Sequence, residues 1–330
     1  MTATVARTGW NRRSLAALLV RVGAFVAFAG IMVYFAATAR GFTSTYNLLN
    51  VIEQSAILGV LAYGMTVVFI GTGTDVQKGG IDLSVAANAG LCAAVFVTLL
   101  GQGYHEVIAV GAALVTGMAV GVLNGLAVVT FRIMPLLGTL AVMNIAAGLE
   151  LTITENTVVS ASSEMLTTLS FGRFLDVPAL AWCLILFTLV AFAAVHHTSL
   201  GLRLYAVGGH IEAARAAGLN TGAYVYGAYI FSGFCAGLAS ILIVSRLSAS
   251  TPGTGLLLLP ILAAALLGTV FSRRFVPTIG GTLLSVLFIG YLANGFQLLS
   301  ISSYWVNGVQ GALILLVVAL TSFAKPAEGS

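Results

Sequence analysis

Charge is what this sequence lacks. Aspartate, glutamate, lysine and arginine make up 7% of its 330 residues, against 59% hydrophobic ones. An ordinary soluble domain carries about 25% charged residues, and a surface facing water cannot be covered with so few. The bilayer is therefore the expected solvent. Cysteine is scarce as well. Cys92, Cys183 and Cys235 stand inside apolar runs at no metal-ligand spacing, so they read as small buried apolar residues. Lysine occurs twice, at positions 78 and 325. Neither Lys78 nor Lys325 closes a phosphate-cradling glycine loop followed by Ser or Thr, which excludes ATP hydrolysis by that route. No Ser-His-Asp order, carboxylate pair or Cys-His cluster has a supporting motif, so no catalytic residue and no cofactor are expected. His196-His197 has no partner ligands and reads as interfacial polarity, not as a metal site. The net charge of +4 comes from basic residues scattered singly and in pairs, which is no nucleic-acid signal.

What is abundant is the apolar run. A membrane helix needs about 20 mostly apolar residues. Ten such runs lie near 15–38, 51–71, 81–100, 106–130, 134–152, 178–196, 221–245, 256–271, 278–297 and 304–323. The eighth is short. The first is too long for a signal-peptide core and lacks a cleavage site, so it is expected to stay as a helix. The glycine content, 38 residues, suits close helix approach in lipid. The fold expected is an all-α polytopic membrane protein: one transmembrane domain over 1–330, with tails at 1–14 and 324–330.

Arginine and lysine sort by side when the helices alternate. With the N-terminus inside, the cytoplasmic segments hold Arg7, Arg12, Arg13, Lys78, Arg132, Arg203, Arg215, Arg273, Arg274 and Lys325, and the outer ones Arg40, Arg173 and Arg246. Arg21 lies near the cytoplasmic end of the first run and can snorkel back. The positive-inside rule predicts this asymmetry, with both termini cytoplasmic.

Two connections are long. The outer one, 153–177, carries Glu155, Glu164 and Asp176. The inner one, 197–220, contains "HIEAARAAGLN", which predicts a short helix: Glu212, Ala213, Ala214 and Ala217 favour it and Gly218 is placed as its C-cap. "VGG" supplies a flexible entry turn, and Glu212 and Arg215 share a face.

"GGIDLSV", residues 79–85, sets a carboxylate among apolar runs. A charge at the bilayer centre costs about 3 kcal/mol on insertion scales, so Asp82 is not expected to face lipid. Three readings are open. Asp82 and Ser84 cap the third helix; or the glycine pair breaks a helix and its end lines a polar path; or the carboxylate binds a coupling ion. Asn88, Asn124, Asn144, Asn294 and Gln297 lie within spans, with Glu53 and Gln54 at a span edge. Amides suit hydroxyl-rich solutes or bond neighbouring helices. Phe296 and Trp305 suit a sugar face or the membrane interface. Asp82, Ser84, Asn88, Asn294 and Gln297 are the candidates for a path.

"TSLGLRLYAVGGHIEAARAAGLNT" resembles the cytoplasmic loop of ATP-binding-cassette permeases of the ribose, galactose and xylose class. Thr198, Gly201, Tyr205, Ala206, Gly208, Gly209, Ala213, Ala214 and Gly218 match, with His210 where that family has Asn. "GGIDLSV" matches too, Ala86 replacing a glycine. Further similar blocks are "GVLNGLAV" at Asn124, "RIMPLLGTLAVMNIAAGL" at 132–149 and "LANGFQLLSISSYWVNGVQGALIL" at 292–315. Leu258, Leu259 and Pro260 depart from its acidic Glu-Leu-Asp, Gly268-Thr269 from its Gly-Gly and Ala147-Gly148 from its Arg-Gly, and "GTDVQK" at 73–78 is extra length. The resemblance implies a permease subunit in a bacterial inner membrane, importing a sugar or sugar-like solute. It implies a second permease copy, cytoplasmic ATPase subunits that bind the ATP, and an extracytoplasmic solute-binding protein. The segment Gly208, Gly209, His210, Glu212, Ala213, Ala214, Arg215 and Gly218 is then the contact with the ATPase, and the outer connection part of the surface for the binding protein. The alternative is an ion- or proton-coupled secondary transporter using Asp82.

Overall fold

A computed structural model describes residues 12–73, 80–272, 275–302, 304–312 and 315. They are almost entirely helical. The helices are α1 (Arg12–Thr38), α2 (Thr45–Thr72), α3 (Val85–Gly101), α4 (Glu106–Gly125), α5 (Pro135–Ile153), α6 (Glu164–Phe171), α7 (Ala179–His196), α8 (Ser199–Gly209), α9 (Ile211–Ala216), α10 (Thr221–Leu247), α11 (Leu258–Val270) and α12 (Ile279–Leu298). Residues 304–312 are helical too. A π-helical turn, Leu126–Thr130, continues α4, and a 3-10 turn, Thr254–Leu257, leads into α11. Two antiparallel two-residue pairs complete the fold: β1 (Val159–Ser160) with β4 (Ala249–Ser250), and β2 (Arg173–Phe174) with β3 (Val177–Pro178).

Among the described residues six helices are long and apolar enough to cross a membrane: α2, α4 with its π turn, α5, α7, α10 and α12. Helices α3 and α11 are apolar but shorter. Nine of the ten expected runs coincide with α1–α5, α7 and α10–α12. Half of the tenth lies outside the described residues, as do Gly79 and the tails 1–11 and 324–330. The boundaries moved where caps decide them. Helix α2 starts at Thr45, because Ser44 accepts from the Asn47 N–H. Glu53 and Gln54 therefore sit in its third turn, not at its edge. Pro135 opens α5, where its missing N–H costs nothing.

Helix α2 is the axis of the bundle. Helices α7, α8, α10, α11 and α12 pack on it, and its residues from Gly59 to Gly71 are all buried. In lipid no hydrophobic force drives helices together, so close backbone approach must. Glycine permits it at the crossing of α4 and α10: a Cβ at Gly117 would strike the Gly233 carbonyl, and one at Gly233 the Gly117 carbonyl.

The outer connection is structured rather than a simple polar loop. Ser163 caps α6 by accepting from the Leu166 N–H, the Met165 N–H reaches Glu106, and β1 ties the segment to the end of α10 through β4. The inner connection contains two helices, α8 and α9, where one was expected. The two ends of the bundle carry different arginines. Arg132 and Arg215 line one cleft with Thr72 and Gly80. Arg173 and Arg246 line another with Tyr46 and Asn50 at the opposite ends of α2 and α10.

Candidate functional site

Asp82 lies at the bottom of a polar hub. Its residue is 1% exposed, and Ser84, Asn124 and Ser232 are fully buried. Oδ1 accepts from the Ser84 N–H (3.0 Å), the Ser84 hydroxyl (2.6 Å) and the Asn124 amide (3.1 Å). Oδ2 accepts from the Ser232 hydroxyl (2.6 Å). The Asn124 amide also donates to Ser84 Oγ at 2.7 Å. Hydrogen bonds to a charged group stabilise by about 1.5–3 kcal/mol each, which offsets part of the cost of burying a carboxylate. The hub joins the turn before α3 to α4 and α10, next to the π turn of α4.

The capping expectation holds for Asp82, whose Oδ1 takes the Ser84 N–H at the start of α3, and is corrected for Ser84. Ser84 occupies the N-cap position of α3 but has helical dihedrals and makes no side-chain cap bond. Its hydroxyl is taken by Asp82 and Asn124 instead. Thr139 of α5 serves the same turn, its hydroxyl accepting from the Leu83 N–H at 3.2 Å and lying 3.1 Å from the Ile81 carbonyl, to which it can donate.

The other path candidates are not brought to the hub as one lining. The Asn88 amide donates to the Gly117 carbonyl of α4 (3.1 Å) and its carbonyl accepts from the Cys92 thiol (3.4 Å). Asn294 exchanges amide hydrogen bonds with Asn47, at 2.9 and 3.0 Å, joining α12 to α2. Gln297 is exposed on α12. Asn144 is exposed on α5 and bonds its own helix. Of the buried polar groups that escaped the sequence reading, Ser232, Glu150 and Tyr229 stand out. Ser232 gave no signal, because a serine in a span can bond its own helix. Glu150 is 3% exposed, with its carboxylate against Gly90 and Oε1 unpartnered; an acid inside the run 134–152 was the available signal. Tyr229 is fully buried beside Gly80, its hydroxyl unpartnered among the described residues.

The segment from Gly208 to Gly218 forms a compact projection. Gly208 and Gly209 are the last residues of α8, not a flexible entry turn. Gly208 lies so close to the Ile70 carbonyl of α2 that a Cβ would collide. His210 breaks the helix in extended conformation and caps α9, Nδ1 accepting from the Ala213 N–H at 3.3 Å. Arg215 pairs with Glu212 at 3.3 Å, both exposed. Gly218 then takes φ +83°. Its N–H bonds the Arg215 carbonyl and the Leu219 N–H the Ala214 carbonyl, a Schellman ending as the sequence predicts. Ala214 is buried, whereas Ile211, Glu212, Ala213, Arg215 and Ala216 are exposed. Helix α9 is thus anchored by one side chain and presents the rest outward. Behind it the Tyr205 hydroxyl donates to the Pro277 carbonyl (2.7 Å), and burial pushes that phenol up to about 12.

An almost entirely helical bundle of apolar spans, with an internal polar hub and a capped helix displayed at one end, defines a multi-pass membrane protein. Residues 47–318 match the family described as the permease component of the branched-chain amino acid transport system, and the chain belongs to that family. It is 33% identical over 314 residues to the ribose import permease protein RbsC of Escherichia coli (strain K12), covering 93% of this chain and 92% of that one. It is 31% identical over 306 residues to the ribose import permease protein RbsC of Bacillus subtilis (strain 168), covering 92% and 93%. It is 28% identical over 309 residues to the L-arabinose ABC transporter permease protein AraH of Azospirillum brasilense, covering 93% and 89%. Like these relatives, the chain is a permease component and not an ATPase.

Proposed function

We propose that this chain is the membrane-spanning subunit of an ATP-binding-cassette importer for a sugar or sugar-like solute, working in the inner membrane of a bacterium. The observation that carries this reading is alignment over nine-tenths of the chain with permeases named for two pentoses, ribose and L-arabinose. The mechanism follows from the chain's own parts. It binds no cofactor; ATP is held by a separate cytoplasmic subunit, which must push on something stiff. Helix α9, with Gly208, Gly209, His210, Glu212, Ala213, Ala214, Arg215 and Gly218, is displayed for that contact. Gly208 against Ile70 and the hydroxyl of Tyr205 on Pro277 connect it to α2 and to the turn before α12. Motion of α9 is therefore carried into the axial helix as a rigid-body shift.

Two copies pair to complete the path. Asp82, Ser84, Asn88 and Asn294 are buried and hydrogen-bonded within one copy, and only Gln297 among the candidates is exposed. A polar passage through a single subunit is not supported, and faces such as that of α5, with exposed Asn144, are free to meet a partner. An extracytoplasmic binding protein delivers the solute, with Glu155, Glu164 and Asp176 near its landing surface. No observation favours the ion-coupled alternative.

The test is uptake of labelled ribose and L-arabinose by proteoliposomes holding this chain, its ATPase and its binding protein. Uptake should need ATP inside and the ATPase present. Accumulation driven by an ion gradient with no ATPase overturns the reading.

A further inference from the structure

A groove of about 610 Å³ runs along the bundle between α7 and α10. Both helices pack on α2, and Val67 of α2 forms the groove's floor. The walls are small residues. Ala194 on one side and Ala223 and Gly227 on the other are exposed, and nothing lies within 4 Å of where a Cβ on Gly227 would stand. One end is bounded by Phe231, whose ring lies 6.3 Å from that of Phe187 and nearly parallel to it. The other end reaches α8 and the turn after α9, where Arg203 and Tyr224 stand. From Phe231 to Asn220 the slot follows α10 for about 16 Å at 1.5 Å per residue.

The chemistry of the two ends differs. The lining is apolar for its whole length except at Arg203, Tyr224 and Asn220. Arg203 is exposed, and its one side-chain bond is a 3.5 Å contact to the Tyr224 hydroxyl. No carboxylate pairs with it among the described residues, where the single ion pair is Glu212–Arg215. The arginine asymmetry puts this end at the cytoplasmic leaflet, at the depth of lipid headgroups. A narrow apolar slot leading from mid-membrane to an uncompensated guanidinium matches one molecule: a lipid whose acyl chain fills the slot and whose anionic headgroup meets the cation.

We propose that the α7–α10 groove binds an anionic phospholipid, its acyl chain lying on Val67 between the two helices and its phosphate on Arg203 and Tyr224. The walls of this site include α8, and α9 follows within two residues of Arg203's helix. A bound lipid therefore braces the segment proposed to meet the ATPase against α10. Lipid composition becomes a control on coupling that acts without touching either ATP or solute.

The test is native mass spectrometry of the full chain in detergent, titrated with phosphatidylglycerol and, separately, phosphatidylcholine of the same acyl length. One basic contact near a surface gives about fivefold preference for the anionic lipid. Arg203→Gln should abolish that preference by weakening phosphatidylglycerol more than phosphatidylcholine, whose choline cation already offsets its phosphate, and Arg203→Lys should keep it. Gly227→Leu fills the open slot and should weaken both lipids. In the Gly227→Leu background Arg203→Gln should have no further effect, because headgroup and chain belong to one molecule. Inorganic phosphate should not compete. Equal binding of both lipids by the unaltered chain, a preference that survives Arg203→Gln, or additive effects of the two substitutions would each overturn the proposal. So would competition by phosphate alone, which would make the site an anion site without a lipid.

Discussion

Replacing Asp82 separates a structural hub from an ion carrier. Asp82→Ala removes the acceptor of the Ser84 N–H, the Ser84 hydroxyl, the Asn124 amide and the Ser232 hydroxyl. The Asn124 amide keeps Ser84 Oγ, so three groups are stranded in a buried site. Each buried unsatisfied group costs about 1–3 kcal/mol. Ser232 can turn back to its own helix, which leaves a net loss of about 3–5 kcal/mol. Asp82→Asn behaves differently. Its Oδ1 keeps the three acceptor contacts, and its amide meets Ser232, whose hydroxyl can accept as well as donate. Only the charge assistance is lost, about 1–2 kcal/mol. The two variants should therefore differ by about 2 kcal/mol, or about 4–8 °C in melting midpoint at about 2–4 °C per kcal/mol. The assay is thermal unfolding of the purified chain in detergent, followed by ATP-driven uptake in proteoliposomes. Asp82→Asn should melt near the unaltered chain and transport. Equal melting of the two variants would refute the hydrogen-bond account. Normal melting of Asp82→Asn with no uptake would refute the structural reading altogether and restore a charge-carrying role.

Four further outcomes are expected. Reversing both charges of the exposed pair, Glu212→Arg with Arg215→Glu, keeps an i,i+3 pair whose worth is only a few tenths of a kcal/mol; the subunit should fold, while ATP hydrolysis in the assembled complex should no longer respond to solute. His210→Ala removes the cap of α9 and costs about 1 kcal/mol locally, seen as faster amide exchange at Ala213 and weaker ATPase binding with an unchanged melting midpoint. Gly233→Leu forces α10 away from α4 at Gly117 and should prevent stable assembly, read as aggregation on size-exclusion chromatography. Tyr205 has a folded pKa of about 12 against an ordinary 10, so the stability it adds is full below pH 10 and lost as pH rises through 12; Tyr205→Phe should flatten the stability profile across that window.

The sequence made the spans legible because lipid imposes a crude rule: about 20 apolar residues in a row. Nine of the ten runs became helices for that reason. The cap at Ser44 moved the start of α2 by two turns, since Tyr46, Asn47 and Asn50 are polar enough to hide a helix that the protein interior supports. The C-terminal cap of α9 was readable at Gly218, where only φ > 0 closes the turn. The break between α8 and α9 was not: two glycines suggested slack, yet Gly208 is helical because α2 passes too close for any side chain.

The polar hub shows where a one-dimensional reading stops. Asp82 was visible as an expense, since a carboxylate in an apolar setting needs a reason. Its partners were invisible, because Asn124 lies 42 residues away and Ser232 150 residues away, and neither residue type signals what it will bond. The same ambiguity affects every amide in a span, which serves equally to hold helices together or to meet a solute. In the structure Asn88 and Asn294 each have a partner on a neighbouring helix. An amide already satisfied at 2.9–3.1 Å must give up a bond before it can offer one, and at a buried position that exchange costs about 1–3 kcal/mol. Discrimination among sugars is therefore poorly placed on these residues. Under the proposed function, selection falls to the protein that hands over the solute, and α9 is the element expected to carry movement into the membrane subunit.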